Sequence, residues 1–594
     1  MEMKETSGRI LLLVALAAAV PGNARESALL TDPFLQLPKA DSVNVVWFTE
    51  FEGSGHVVSV EGRDFEAETT RLSRMAEDEL SRVGEQTEDA QVYAGYTPRD
   101  VWRHEATVSG LTPGERVPYT VTSVTPDGTQ VTSDTFSLAP LPGAGQALTI
   151  LLTSDHQLMP MTAANLQKVA ESVGTLDAVF LAGDLVNVPD RASEWFDDNR
   201  VSESRGGPFF QNLQGRAERV LEYDGVSTAY TGGEIIQHTP LFPVVGNHEV
   251  MGRFNRANDT TTQFNDPQPR AAAESRYERF ADIIDPKGDA AVRESWIRDN
   301  SFNTVSYEEI FSLPADGPGG ETYYDIQFGD VYLIALYATR IWRTPSLEDD
   351  ARGKYREALA DLDMPDDWGY GDFIFEDLSV GSEQYAWLKG VLESQAFRDS
   401  PHKIVMMHQG PHGVGDNYNP VFANPEQVLH HDENGRLASV RYEYPIDADI
   451  LVNDIEPLLR DAGVQLVHSG HSHLWFRMKD DANIDWLETS NVGNSYGCYL
   501  EGYKERSNVP GEGFDADDYA LTGDPHGLEP IMPNIDAFWT DSAGKSLPCV
   551  DSNEITTFSI LNTASGEVAS YYFDTREPDS EVVEFDRFSY VDGP

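Results

Sequence analysis

Five short apolar runs lie along the middle and late chain, and each leads to a polar residue of metal-binding type. Residues 151–153 lead to Asp155, 179–182 to Asp184, 242–245 to Asn247, 403–407 to His408, and 463–467 to His471 and His473. Runs of this length read as buried strands. A single one is an ordinary core strand. Five that all end in Asp, Asn or His point to a shared site, because open α/β sheets collect ligands at the carboxyl ends of their strands. Helical patterns fill two of the intervals. Residues 163–173 read as a helix that Gly174 ends, and 450–462 as a second that Gly463 ends. The stretch from Asp155 to Asp184 is long enough for a strand–helix–strand crossover. On an extended backbone His471 and His473 face the same side, and Gly470 permits a tight turn before them. Two imidazoles aimed at one point suggest a metal site.

Residues 28–140 have a different texture. Short β-type runs at 43–49, 104–108 and 119–124 are separated by the turn signals Leu111-Thr112-Pro113-Gly114 and Pro126-Asp127-Gly128. This predicts an all-β sandwich. Residues 64–89 form a charged insertion that reads as helical or mobile, and 139–145 read as a linker. Further on, 188–240 and 250–310 are long polar insertions, expected as rim loops around a cleft. A hairpin signal closes the chain: 557–561, then Ser565-Gly566, then 568–573. It is expected to add strands to the preceding domain.

Composition sets the surroundings. The 594 residues are 40% hydrophobic, enough for a large core and two or more domains. With 99 acidic and 43 basic residues the formal net charge is −56, and only ten of the basic residues are lysine. A chain this apolar is globular rather than disordered. Its charge argues against nucleic acid as a stable partner. An acid-rich surface stays hydrated in salt, which fits a halophilic or marine source, or a secreted protein with an acidic surface. Lys4 and Arg9 flank the start of an eleven-residue apolar run, 10–20, too short to span a membrane. Small residues follow up to Ala24. Residues 1–24 therefore read as a signal peptide, so the protein is expected to be secreted or periplasmic, with no other membrane segment. A retained anchor is the alternative. Cys498 and Cys549, the two cysteines, can pair in an exported chain.

With their flanks, the five runs read Asp155-His156-Gln157, Gly183-Asp184, Gly246-Asn247-His248-Glu249, His408 and Gly470-His471-Ser472-His473. The set resembles the calcineurin-like metallophosphoesterases, whose blocks run D-x-H, G-D, G-N-H-[ED], H and G-H-x-H. Within that superfamily the chain is most similar to the purple acid phosphatases. Val405-Met406-Met407-His408 fits their V-x-x-H, Gln384-Tyr385-Ala386-Trp387-Leu388 their Q-x-x-W-L helix, and Tyr323-Tyr324 with Gly329 their strand pair. The segment around Gly110-Leu111-Thr112-Pro113-Gly114 is similar to the fibronectin-III-like domain that precedes many of their catalytic domains. The resemblance covers residues 28–480. It implies a fibronectin-III-like β-sandwich over 28–140, then an α/β metallophosphoesterase domain over 146–505, a β-sandwich flanked by helices (αββα). Residues 506–594 form a C-terminal extension packed on that domain.

The resemblance also implies two metal ions, divalent or mixed-valence, drawn from Fe, Mn or Zn. One takes Asp155, Asp184 and His473, with Gln157 or Asn187 as further candidates. The other takes Asp184, Asn247, His408 and His471. Such a pair, about 3.5–4 Å apart, neutralises a phosphate and supplies a bound hydroxide for in-line attack. His248 is expected to stabilise the transition state or protonate the leaving oxygen, with a structural role as the alternative. His412, in the loop after His408, is a candidate substrate contact or a solvated loop histidine. His156 reads as structural, and His430-His431-Asp432-Glu433 as solvated. Two positions depart from the pattern. Gln157 stands where the superfamily has histidine, either as an oxygen ligand or as a hydrogen-bond partner. Asn187 stands where the purple enzymes have their iron-binding tyrosine, so no purple colour is expected. The implied activity is hydrolysis of small-molecule phosphomonoesters. A phosphodiesterase or nucleotidase on the same metals is the alternative, and a non-catalytic binding or adhesion protein the least favoured. No motif sets the oligomeric state.

Overall fold

The computed structural model describes residues 29–81, 93–157, 159–197, 206–340, 353–507, 509–511 and 513–591, so the expected signal peptide lies outside it. The N-terminal part is two antiparallel sheets. One runs Phe34–Lys39, Ser42–Thr49, Trp102–Ser109, Glu68–Arg71; the other runs Gln130–Thr132, Val117–Val124, Gly55–Val60, Arg63–Glu66. Alternate residues of both, such as Val43, Val45 and Trp47 against Val58, Val60, Tyr119 and Val121, share one core. Of the insertion 64–89, expected to be helical or mobile, residues 64–66 and 68–71 are strand, and residues 82–89 lie outside the described residues. Thr69 and Thr70 are β-branched, and the edge of Trp102–Ser109 pairs with them. The chain then leaves the sandwich and docks on the second domain. Ala76 N donates to Asp190 O at 3.0 Å, and Asp78 Oδ2 accepts from Arg191 Nη2 at 3.0 Å and from Thr260 N at 2.9 Å.

The second domain packs two mixed sheets face to face. The first has the order Leu241–Pro243, Ala178–Leu181, Thr149–Thr153, Ile555–Asn562, Glu567–Asp574, Val583–Ser589. Its first three strands are parallel and the last three antiparallel. The second has the order Tyr324–Phe328, Val331–Leu336, His402–Met407, Leu466–Ser469, Asp485–Thr489, Trp475–Lys479, Cys549–Val550. Period-two alternation divides its side chains. Leu333, Ala335, Ile404 and Met406 face the first sheet, while Ile334, Leu336, Val405 and Met407 pack under the helices Glu383–Leu392 and Glu456–Ala462. The helix Thr162–Ser172 covers the outer face of the first sheet through Leu166 and Val169.

The closing hairpin, Ile555–Asn562 with Glu567–Asp574, lies inside the first sheet and pairs directly with Thr149–Thr153. Cys498 and Cys549 form a disulfide. The polar insertions are more regular than rim loops. They hold the helices Ala192–Phe196, Phe209–Leu213, Arg270–Ile284 and Ala290–Asp299 and the hairpin Arg219–Tyr223 with Val226–Tyr230. Only Ala273 and Tyr277 of the helix Arg270–Ile284 are buried, so its apolar stripe is too narrow to read as a helix. Among the described residues no helix is long and apolar enough to cross a membrane.

Candidate metal centre

All five expected strand ends converge at one edge of the two sheets. Asp155 follows Thr149–Thr153, Asp184 follows Ala178–Leu181, Asn247 follows Leu241–Pro243, His408 ends His402–Met407, and His471 and His473 follow Leu466–Ser469. The local backbone is not extended there. Asp155, Asp184, His471 and His473 have φ of 57°, 56°, 87° and 57°, the left-handed region that non-glycine residues avoid. The two histidines therefore reach the site by a coiled turn rather than along one side of a strand, and each meets a different carboxylate. Gly470 is needed for space. A Cβ there would sit 2.0 Å from Ser154 Oγ and 2.3 Å from Asp155 Oδ2.

The first cluster gathers Asp184, His408 and His471, whose ligand atoms all lie within 4.8 Å of one another and are buried. His408 Nε2 is 3.2 Å from Asp184 Oδ2, 3.0 Å from Asn247 Oδ1 and 3.0 Å from His471 Nδ1. The second pair lies alongside it, with His473 Nε2 3.4 Å from Asp155 Oδ1. Main-chain carbonyls set the tautomers. His408 Nδ1 donates to Ala182 O at 2.8 Å, and His473 Nδ1 donates to Asn494 O at 2.9 Å. Each ring thus turns Nε2 to the carboxylates.

Three observations fit this donor set to cations. Asp155 Oδ1 is buried with no hydrogen-bond partner. Two ring nitrogens, an amide oxygen and a carboxylate oxygen meet at the first cluster, a set suited to metals that accept nitrogen and oxygen ligands. The cluster also draws in positive charge. Burial opposes a proton on His408, yet Asp184 beside it pushes that imidazole up to about 10. Burial and the neighbouring His408 hold His471 well below its ordinary value.

Backbone clamps hold the ligands, and two of them are missed by sequence reading. Glu249 Oε1 accepts from Leu185 N at 2.7 Å, and its Oε2 from Asp184 N at 2.9 Å and Gly246 N at 2.8 Å. Burial, then the Asp184 charge, raises Glu249 to about 8. Its place in the fourth position of Gly246-Asn247-His248-Glu249 was the available signal. Glu488 Oε1 accepts from Ser472 N at 2.8 Å and fixes the histidine turn. It lies on another strand with no motif to mark it. Asp155 Oδ2 likewise accepts from His471 N at 2.9 Å.

The remaining expected residues divide. His248 Nδ1 is 2.9 Å from Asn187 O, its N donates to Asp184 Oδ1 at 2.9 Å, and its ring stacks on Phe264 at the cleft. Gln157 brings its amide nitrogen to Asp184 Oδ2, and Asn187 Nδ2 donates to Gln157 O at 2.9 Å. His156 is buried with Nε2 3.0 Å from Thr153 Oγ1. His430 and His431 sit on an exposed hairpin. His412 is a correction. The cleft of about 470 Å³ is lined by Asp184, Asn247, His248, His471 and His473 but not by His412. His412 turns away instead, with Nδ1 3.0 Å from Asp524 Oδ2 and Nε2 3.5 Å from Glu456 Oε1. The two buried carboxylates, which the sequence did not link to it, pull it there.

A search of curated proteins gives no match. Among solved structures, the chain is similar to the purple acid phosphatase from yellow lupin (Lupinus luteus) seeds, with 14% identity over 94% of this chain and 74% of that one and a TM-score of 0.47. PhoD is 12% identical over 95% of this chain and 93% of that one, with a TM-score of 0.42. GAP50, the anchor in the inner membrane complex of Plasmodium, is 13% identical over 74% and 89%, with a TM-score of 0.28. The family model for calcineurin-like phosphoesterases matches residues 148–474, more than half of the chain and the whole span from Asp155 to His473. On that match the chain belongs to the calcineurin-like phosphoesterase family.

Proposed function

We propose that the protein is an exported dinuclear-metal phosphoesterase that hydrolyses phosphomonoesters. The observation that supports this most is Asp184, which is gathered with His408 and His471 in one buried cluster and takes a hydrogen bond from the amide of His248. In this reading Asp155, Asp184 and His473 would hold one metal, and Asp184, Asn247, His408 and His471 the other. When bound, such a pair would supply phosphate neutralisation and a water activated at neutral pH. The chain's own residues do the rest. Asn187 O takes the Nδ1 proton of His248, whose ring lines the cleft. From there it hydrogen-bonds a phosphoryl oxygen or passes a proton to the departing oxygen. Gln157 serves as a hydrogen-bond partner of Asp184. A cleft of about 470 Å³ has room for a leaving group beyond the phosphate. The same room admits a second ester arm, which keeps a phosphodiesterase as the second reading.

The test is a panel of aryl, alkyl and nucleotide monoesters with one diester, run on metal-loaded protein with metal content measured in parallel. Two metals per chain and monoester turnover are expected. Turnover of the diester alone selects the second reading, and neither metal nor turnover sinks both. His248→Ala should keep its metals and lose about 10²–10⁴-fold in rate, with a steeper dependence on leaving-group pKa. Export rests on residues 1–24, and a mature N-terminus at Arg25 tests it.

A further inference from the structure

The rim of the cleft carries four asparagines, Asn187, Asn265, Asn417 and Asn494. Each spends one of its two amide N–H donors on the protein. Asn187 Nδ2 donates to Gln157 O at 2.9 Å, Asn417 Nδ2 to His471 O at 2.9 Å, and Asn265 Nδ2 to Thr261 O at 3.0 Å. A main-chain carbonyl only accepts, so these three contacts fix which end of each amide is which. Asn494 Nδ2 lies 3.1 Å from the Tyr496 hydroxyl. The four carbonyl oxygens are turned away from these anchors, and all four residues line the cleft. Among the described residues none of these oxygens takes a hydrogen bond. Tyr496 stands in the same rim, 45% exposed, its ring stacked on His473 at 5.3 Å.

Neutral amides that offer an open carbonyl oxygen and one remaining N–H match neutral groups that both donate and accept. Carbonyl oxygens repel phosphoryl oxygens, so they are not a seat for further phosphates. An ammonium group is better matched by carboxylates, and those of Glu194 at this rim are taken. Its Oε1 accepts from Arg191 at 2.7 Å, and its Oε2 from Asn187 N and Val188 N at 2.8 Å. Hydroxyl groups fit, since each offers one O–H to a carbonyl. An exposed tyrosine ring beside them suits the C–H face of a polyol carbon chain or sugar ring. Resting on the phosphoesterase reading above, we infer that the leaving group of the substrate is polyhydroxylated: a sugar or polyol carrying a single phosphate ester.

The experiment compares glycerol phosphate and a hexose phosphate with propyl phosphate, which lacks the hydroxyls, and with ethanolamine phosphate. Both kcat/KM and ligand-detected NMR binding are read on full-length, metal-loaded protein. The hydroxylated esters should be preferred over propyl phosphate by about tenfold or more, since each hydroxyl contact contributes about three- to tenfold. Glycerol and hexose esters read the same chemistry, and whichever is favoured names the polyol or the sugar. In Asn265→Leu/Asn494→Leu the ratio of hydroxylated to propyl ester should fall towards one, which also controls for the difference in leaving-group acidity. An equal or reversed preference in the wild type, a ratio unchanged in the variant, or ethanolamine phosphate as the best ester would each overturn the assignment. A protein that hydrolyses none of them yet binds glycerol phosphate tenfold more tightly than propyl phosphate keeps it, and loses the hydrolase reading instead.

Discussion

A stacked pair of histidines in the N-terminal sandwich makes that domain sensitive to acid. His56 and His104 lie with ring centroids 3.6 Å apart and only 15° from parallel. Each is satisfied as a neutral ring. Thr49 Oγ1 gives its own proton to Phe51 O at 2.6 Å, so it accepts from His104 Nε2 at 2.8 Å, and His104 Nδ1 accepts from Thr69 Oγ1 at 2.9 Å. His56 Nε2 donates to Glu52 O at 2.7 Å, and its Nδ1 is 2.8 Å from Ser123 Oγ. Burial first, then His56 and Arg103, lowers His104 from 6.5 to about 3. Burial lowers His56 as well. The folded chain therefore refuses a proton that the unfolded chain takes below pH 6.5. Its stability is complete above that pH and is lost as pH falls towards 3. One ring contributes about 1.4 kcal/mol per pH unit in this window, roughly 2.7 kcal/mol by pH 4.5 and about 5 kcal/mol at the limit. The perturbation is His104→Gln, which removes the titration and keeps an amide for the threonines. Denaturant unfolding of wild type and variant at pH 7.5, 6 and 4.5 isolates the ring from the many surface carboxylates. The variant should be the less stable at pH 7.5 and gain on the wild type by about 2–3 kcal/mol at pH 4.5. A difference that stays flat across this range, or a His104 ring signal titrating near 6.5 by NMR, would refute the reasoning. Assays run at mildly acid pH fall inside this window, so lost activity there must be separated from lost fold.

Three further outcomes follow from the centre itself. Asp184→Asn removes the one carboxylate of the first cluster, and metal content and turnover should collapse together; an enzyme with two metals and a near-normal rate would sink the two-metal reading. Glu249→Ala leaves three buried N–H groups unpaired at about 1–3 kcal/mol each, so denaturant midpoints and metal affinity should both drop, whereas an unchanged midpoint would show that the clamp does nothing. With Asn187 in place of a tyrosine, iron-loaded protein should show no tyrosinate charge-transfer band in its visible spectrum; a purple sample would mean that another tyrosine reaches the metal.

The site was legible because its signal is local. An apolar run of three to five residues and the polar residue that ends it are neighbours in the chain, and parallel strands bring such ends to one edge. Asp155, Asp184, Asn247, His408, His471 and His473 could be named for that reason. What was not legible depends on long-range neighbours. His412 is drawn off by Asp524, 112 residues away, and Glu488 reaches Ser472 from a different strand. The insertions looked like loops because their helices hide only a narrow stripe. Glu68–Arg71 looked irregular because their partner strand, Trp102–Ser109, comes about thirty residues later, whereas Arg63–Glu66 form a local hairpin with Gly55–Val60 whose charged residues hide the strand pattern.

The same contrast explains how so strained a centre persists. Asp155, Asp184, His471 and His473 each occupy left-handed backbone, at about 1–3 kcal/mol apiece. The compensation is supplied by neighbours that do no chemistry. Glu249 binds the amides of Asp184, Leu185 and Gly246, and Glu488 binds that of Ser472. Glycine is required at two of the closest approaches. A Cβ on Gly246 would meet Asp184 Oδ1 at 2.3 Å, and one on Gly183 would meet His408 Nδ1 at 2.8 Å. The glycines written into the blocks are thus conditions for two strand ends to touch, and the two buried glutamates are conditions for them to stay bent. A reading confined to the ligands would recover which atoms meet, but not why the chain tolerates the meeting.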